Sequence, residues 1–219
     1  MKETIYLGLS QVRPSCGMAK RTLCTLFTLV SIALPAAADK VLVLDDSLSA
    51  GYGMAMEQAW PALLQKRLQQ EPTFADWQVI NASISGETSE GGVRRLPALL
   101  QEFQPDWVLL ELGANDGLRG YPVAAISANL SRMVALSQQS GAQVAVLGIQ
   151  IPPNYGARYT KPFFEQYAHI ARRYDTQLVP FILEGVAIDS GLMQDDGLHP
   201  TIEAQPLVLN NVWQHISWQ

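Results

Sequence analysis

Short apolar runs rich in β-branched or aromatic residues alternate along this chain with longer stretches whose apolar positions recur every three to four residues. The runs at 41–44, 77–80, 107–112 and 143–149, with a weaker one at 177–181, read as strands. The stretches at 60–70, 89–101, 123–139 and 161–174 have helical spacing, and 202–216 closes the pattern as a last helix. Pro61 stands where a first helical turn tolerates proline, and Gly141 where a helix stops. The alternation predicts an α/β fold: a single three-layer α/β/α domain whose five strands form a parallel sheet covered by helices. No internal repeat or low-complexity linker interrupts it. In such sheets ligands bind beyond the carboxyl ends of the strands, so the residues after each strand are where chemistry is to be sought.

The N-terminal segment is set aside from that fold. Lys20-Arg21 precede an apolar stretch at about 23–34 that runs into Pro35-Ala36-Ala37-Ala38, the pattern of a signal peptide. The stretch falls short of the ~20 residues that span a bilayer, so it reads as a cleaved leader and not as a stable membrane anchor. Residues 1–38 are assigned to the leader, cut after Ala37 or Ala38, and 39–219 to the mature domain, which is expected in the periplasm or secreted. A start at Met18 would give the compact Met-Ala-Lys-Arg opening of such peptides. Cys16 and Cys24 both fall in the removed part, leaving no disulfide for the mature chain.

The 219 residues are 48% hydrophobic and 16% charged, enough apolar material for one filled core. From Asp39 onward, 11 Lys and Arg stand against 19 Asp and Glu, a net charge of −8. That balance argues against a nucleic-acid partner and against attraction to anionic membranes. The expected partner is a small molecule, met by a monomer without a cofactor.

Four loops carry the chemistry-bearing residues. Asp45-Asp46-Ser47-Leu48-Ser49 follows the first strand; taken alone, its serine is a helix cap. Asn81-Ala82-Ser83-Ile84-Ser85-Gly86 follows the second, and its glycine is either a simple loop residue or an unobstructed backbone donor. Gly113-Ala114-Asn115-Asp116-Gly117 follows the third and places an amide in a tight turn. Near the C-terminus, Asp195-Asp196-Gly197-Leu198-His199-Pro200 puts a carboxylate three residues from an imidazole in a bent loop, since Pro200 disfavours helix at His199.

Together these residues suit acyl transfer. A serine hydroxyl is a poor nucleophile until a base removes its proton, and an imidazole, with an ordinary pKa of about 6.5, does so at neutral pH. Ser47 is thus the candidate nucleophile, His199 the base, and Asp196 the group that orients it. The developing oxyanion needs donors: the backbone N–H groups of Ser47 and Gly86 and the side-chain amide of Asn115, each worth ~3 kcal/mol of barrier. A metal site built from Asp195, Asp196 and His199, with Asp45 or Asp46 added, is the competing chemistry, but it is poor in histidine and leaves Asn115 idle. His169 and His215 lie in amphipathic helical stretches and read as surface or helix-end residues.

At these four blocks the chain resembles the SGNH or GDSL hydrolase family, and within it the bacterial periplasmic thioesterase and lysophospholipase subgroup. Leu-Ser-Ala-Gly-Tyr at 48–52, Ala-Trp-Pro-Ala-Leu-Leu at 59–64 and Leu-Gly-Ala-Asn-Asp-Gly-Leu-Arg-Gly at 112–120 extend the likeness over the mature chain. A Gly-x-Ser-x-Gly elbow is absent, which argues against the α/β-hydrolase route to the same chemistry. The resemblance implies a flavodoxin-like sheet order and the site roles already given. It also implies an acyl cleft walled by Leu118 and Tyr121, with 152–156, including Tyr155, as the opposite lip. The activity it implies is hydrolysis of acyl esters and thioesters, covering acyl-CoA thioesterase, lysophospholipase and arylesterase-like reactions.

One departure matters. The family's first block begins with glycine, where this chain has Asp45. A carboxylate ~6 Å from the oxyanion would oppose it by ~1–3 kcal/mol at an effective dielectric of about 20–40. Ala114 replaces a glycine common in the subgroup, a milder change. Two other functions stay open: a sugar O-deacetylase on the same fold, and a non-catalytic binding protein weakened by Asp45.

Overall fold

The computed structural model describes residues 38–218, so the expected leader, but for its last residue, lies outside the described residues. Five strands form one sheet in the order β2-β1-β3-β4-β5, every neighbouring pair parallel: β1 Lys40–Leu44, β2 Gln78–Asn81, β3 Trp107–Leu110, β4 Gln143–Leu147 and β5 Gln177–Val179. The three inner strands are continuous apolar runs because both faces of the sheet are covered. The edge strands β2 and β5 keep polar or partly exposed positions.

Six α-helices connect and cover the strands: α1 Trp60–Gln70, α2 Ser89–Phe103, α3 Ala114–Leu118, α4 Val123–Gln139, α5 Ala157–Tyr174 and α6 Gln205–Trp213. Helix α1 packs against α6, and α4 packs between α2 and α5, giving the two outer layers. The core between them includes the fully buried Trp60, Trp107, Phe163 and Tyr167.

Helices α1 and α4 take the spans read from the sequence. Helix α5 starts a turn before the predicted 161, so Pro162 lies inside it, where its missing N–H removes one helical bond without breaking the helix. The last helix is shorter than 202–216. Beyond α6 the chain turns back and seats Trp218 against Trp77, Trp107 and Trp213 at the amino ends of the strands. Helix α3 replaces an expected turn; five residues with a glycine among them carry no legible period.

The connections fix where the site can lie. The chain leaves β1 for β2 on one side and returns to β3 on the other, so the loops after β1 and β3 diverge at a switch point. The register pairs Leu44 with Leu110, and the N–H of Glu111 still bonds to the Leu44 carbonyl (3.1 Å). The segments that follow therefore start side by side.

Strands β4 and β5 end earlier than the apolar runs because they converge at Gly148. Its N–H bonds to the Val179 carbonyl (2.8 Å), and a Cβ there would lie 2.2 Å from the Pro180 carbonyl oxygen. Gly148→Ala is expected to destabilise the fold by about 3 kcal/mol, the upper part of the overpacking range, because the clash is with backbone and no side chain can yield. Urea denaturation of the purified variant measures it; a loss below about 0.5 kcal/mol would show that this junction is loose.

Candidate active site

The turn that carries Ser47 is built by carboxylates. Asp46, buried after β1, accepts from the Leu48 N–H through Oδ1 (3.1 Å) and from Asn115 Nδ2 through Oδ2 (2.8 Å). Asp46 thus makes the short turn bond that a lone serine would be expected to make, and Ser47 Oγ keeps only a long contact to Asp46 Oδ1 (3.5 Å). The same Ser47 Oγ lies 2.8 Å from His199 Nε2. Ser49, two residues on, bonds to the Asp45 carboxylate and accepts from Trp60 Nε1 (2.7 Å), fixing the turn to the core.

The loop carrying His199 is pinned by its own backbone. Met193 and Pro200 form an antiparallel bridge, the Gln194 N–H bonds to the His199 carbonyl (2.7 Å), and the Gly197 N–H bonds to the Gln194 carbonyl (2.8 Å). Asp196 Oδ2 meets His199 Nδ1 at 2.6 Å, and its Oδ1 accepts from the backbone N–H groups of Leu198 (2.9 Å) and His199 (3.0 Å). Burial acts to raise the Asp196 pKa, but these hydrogen bonds outweigh it and hold the carboxyl below its ordinary value. Tyr52 stacks on the imidazole, centroids 4.0 Å apart, and its carbonyl accepts from Gln194 Nε2 (2.9 Å).

The three candidate oxyanion donors converge on one pocket of about 250 Å³, lined by Ser47, Gly86, Asn115 and His199 among others. Gly86 has φ +80° with open space where a Cβ would be, so backbone conformation and not crowding calls for glycine there. Its carbonyl accepts from Arg119 (3.4 Å). Asn115 enters from the first turn of α3, its amide held by Asp46.

Leu118 lines this pocket as expected, but Tyr121 and Tyr155 do not. After α3 the Tyr121 N–H bonds to the Asp116 carbonyl (3.0 Å), turning the chain outward and leaving the ring exposed. Tyr155 lies beside the site and braces it, donating its hydroxyl to the Leu118 carbonyl (2.8 Å). With Leu118, the wall is made by Pro152, from the expected lip at 152–156, and by Tyr52, Ile149, Ile151, Leu183 and Leu198. Position just after β4 was the available signal for Ile149 and Ile151, and Tyr52 stood in a quoted block; nothing local marked Leu183.

Both ring nitrogens of His199 are engaged, by Asp196 and Ser47, so the geometry offers no imidazole lone pair to the alternative metal set. Of the other histidines, His215 bonds to the Asn211 carbonyl (2.8 Å) and His169 lies on α5 away from the pocket. Asp45 is buried and does not have a positive φ, so aspartate is unstrained at the position of the family's glycine. The solvent exposure that would have screened its charge is absent.

A serine hydroxyl, an imidazole and a carboxylate in series, beside converging donors and an apolar wall, can attack a carbonyl and hold the resulting oxyanion. Comparisons with known proteins point the same way. The model of the GDSL-like lipase/acylhydrolase family matches residues 46–205. The chain is 52% identical over 185 residues to the esterase TesA of Pseudomonas aeruginosa, covering 84% of this chain and 91% of that one. It is 44% identical over 183 residues to the thioesterase 1/protease 1/lysophospholipase L1 of Escherichia coli K12, covering 84% and 86%. A crystal structure of TesA superposes with a TM-score of 0.78 at 51% identity, covering 81% of this chain and 97% of that one.

A fluorophosphonate probe is expected to label Ser47 once per chain, with no labelling of Ser47→Ala and labelling of His199→Ala slowed ~10³-fold or more. Intact-mass spectrometry reads the adduct, and a second labelled serine in Ser47→Ala would disprove the assignment.

Proposed function

The chain belongs to the GDSL-like lipase/acylhydrolase family and is a serine-type ester hydrolase, and we propose that it cleaves acyl esters and thioesters through Ser47, His199 and Asp196. The observation that carries the assignment is the unbroken series from Asp196 Oδ2 to His199 Nδ1 (2.6 Å) and from His199 Nε2 to Ser47 Oγ (2.8 Å).

In the first half-reaction Ser47 Oγ attacks the acyl carbonyl while His199 Nε2 takes its proton. The oxyanion is held by the Ser47 and Gly86 N–H groups and the Asn115 amide. His199 then passes the proton to the leaving alcohol or thiol, and Ser47 keeps the acyl group. Water, deprotonated by the same imidazole, releases the acid. Asp196 stays ionised throughout, holding the ring and offsetting its charge when protonated.

The apolar wall of Ile149, Ile151, Leu183 and Leu198 supports an acyl chain as the group accommodated, over the acetyl group of a sugar O-deacetylase. Lysophospholipid, acyl-CoA and aryl esters are the substrate classes proposed. Among the described residues no helix is long and apolar enough to cross a membrane. The Lys20-Arg21 and apolar pattern supports export and cleavage near Ala38, with the domain acting as a monomer in the periplasm or outside the cell.

Turnover of a p-nitrophenyl ester series from acetyl to long acyl tests the reading. Wild type is expected to prefer medium or long chains over acetyl, Ser47→Ala to lose at least ~10⁴ of kcat, and Asn115→Ala to lose ~10²–10³ of kcat with KM little changed. An acetyl-only profile would favour the deacetylase, and turnover surviving in Ser47→Ala would refute the serine mechanism.

A further inference from the structure

Beneath the nucleophile turn lies a group of acids the reaction does not consume. Asp45, Asp46 and Glu111 are each no more than 1% exposed, and one carboxyl oxygen from each lies within 4.8 Å of the others. Asp45 and Asp46 have donors: Ser49 Oγ and the Asp46 N–H for one, Leu48 and Asn115 for the other. Glu111 has none, and both its oxygens are buried without a donor. The charged or titratable groups facing Glu111 are all acids or phenols: Asp45 and Asp46 after β1, Asp116 from α3 and Tyr167 from α5.

Ionised acids packed this closely without a cation would each be deeply unfavourable. A single proton resolves the geometry. With one proton between them the Asp45 and Glu111 carboxyls form a hydrogen bond that two carboxylates cannot make, and the otherwise unpartnered Glu111 gains its partner.

We propose that Asp45 and Glu111 share a proton in a buried acid pair that, acting through Asp46, positions the Ser47 turn and the Asn115 amide. The inference rests on the serine-hydrolase reading of the site. Asp45 and Glu111 are positioning residues; neither touches substrate. The aspartate that stands where the family has glycine is thereby half of a pair that carries one negative charge between two carboxyls, so the field it sets against the oxyanion is that of a shared charge and not of two adjacent carboxylates.

The pair makes activity sensitive to alkali. Burial first, then the neighbouring acids, pushes Glu111 well above the ordinary carboxyl value; burial raises Asp45; and burial with the Asp45 charge pushes Asp46 up to about 7. Since the folded values lie above the unfolded ones near 4, the acids' contribution to stability is full below about pH 4 and is lost as pH rises through the folded values. Repulsion among the ionised groups would then displace Asp46 and, with it, Asn115.

The test compares wild type, Asp45→Gly and Glu111→Gln, Asp45→Gly restoring the family's residue. The first measurement is the pH profile of kcat. Wild type is expected to lose kcat at alkaline pH with KM little changed, and both variants to move that limb upward by about one pH unit. The second is Tm against pH, also taken on Ser47→Ala, with a steeper fall between pH 5 and 9 in chains that keep the pair. An alkaline limb at the same pH in all three chains overturns the proposal. So does loss of activity on chelation with recovery on added calcium, which would mean that a cation and not a shared proton lets these acids pack together. If Ser47→Ala itself turned over ester, the serine reading would fall, while the Tm comparison would still report on the pair.

Discussion

The site depends on the parallel pairing of β1 with β3. Because Leu44 lies opposite Leu110, the residues that emerge from the two strands are level with one another. Asp46 from one loop can then grip Asn115 from the other at 2.8 Å. That one bond ties the turn carrying the Ser47 hydroxyl to the amide proposed to face the developing charge, and the antiparallel pin at Met193 and Pro200 holds the loop that brings the His199 imidazole to the same edge. Strand register, usually a matter of stability, here sets catalytic distance.

Much of this is legible in the sequence, for identifiable reasons. The inner strands announce themselves because a strand covered on both faces must be apolar at every position, and helices α1 and α4 because each keeps one apolar face over three or more turns. Ser47, Gly86, Asn115, Asp196 and His199, which the structure brings together, were legible as candidates because each follows a strand or stands in a bent loop with its partner three residues away. Tyr121 was placed in the wall and Tyr155 in the opposite lip by likeness alone; the outward turn after α3 depends on a backbone bond to Asp116 that has no local signature. Helix α3 itself is too short to show a period.

The electrostatics were the least legible part. Asp45 was visible as a departure, and the cost of its charge could be sized, but the calculation assumed that the carboxylate was alone. Glu111 lies in the apolar run after Trp107, a charged residue where none should be buried without cause. Only the register of β1 against β3 sets the two together. A pairwise estimate made from one loop therefore left out the neighbour that matters: another acid, with which Asp45 is proposed to share one proton, so that two carboxyls carry a single charge.

The aromatic cluster at the far end of the sheet bears on how the molecule can be watched. Of the five tryptophans, Trp77, Trp107, Trp213 and Trp218 gather there, with Trp218 between 5.5 and 6.1 Å from each of the other three. Trp60 alone reaches the nucleophile turn, through Ser49. Intrinsic fluorescence is consequently dominated by the edge opposite the pocket: it reports loosening of the amino ends of the strands and is largely blind to events at the serine, except through the single indole wired to it.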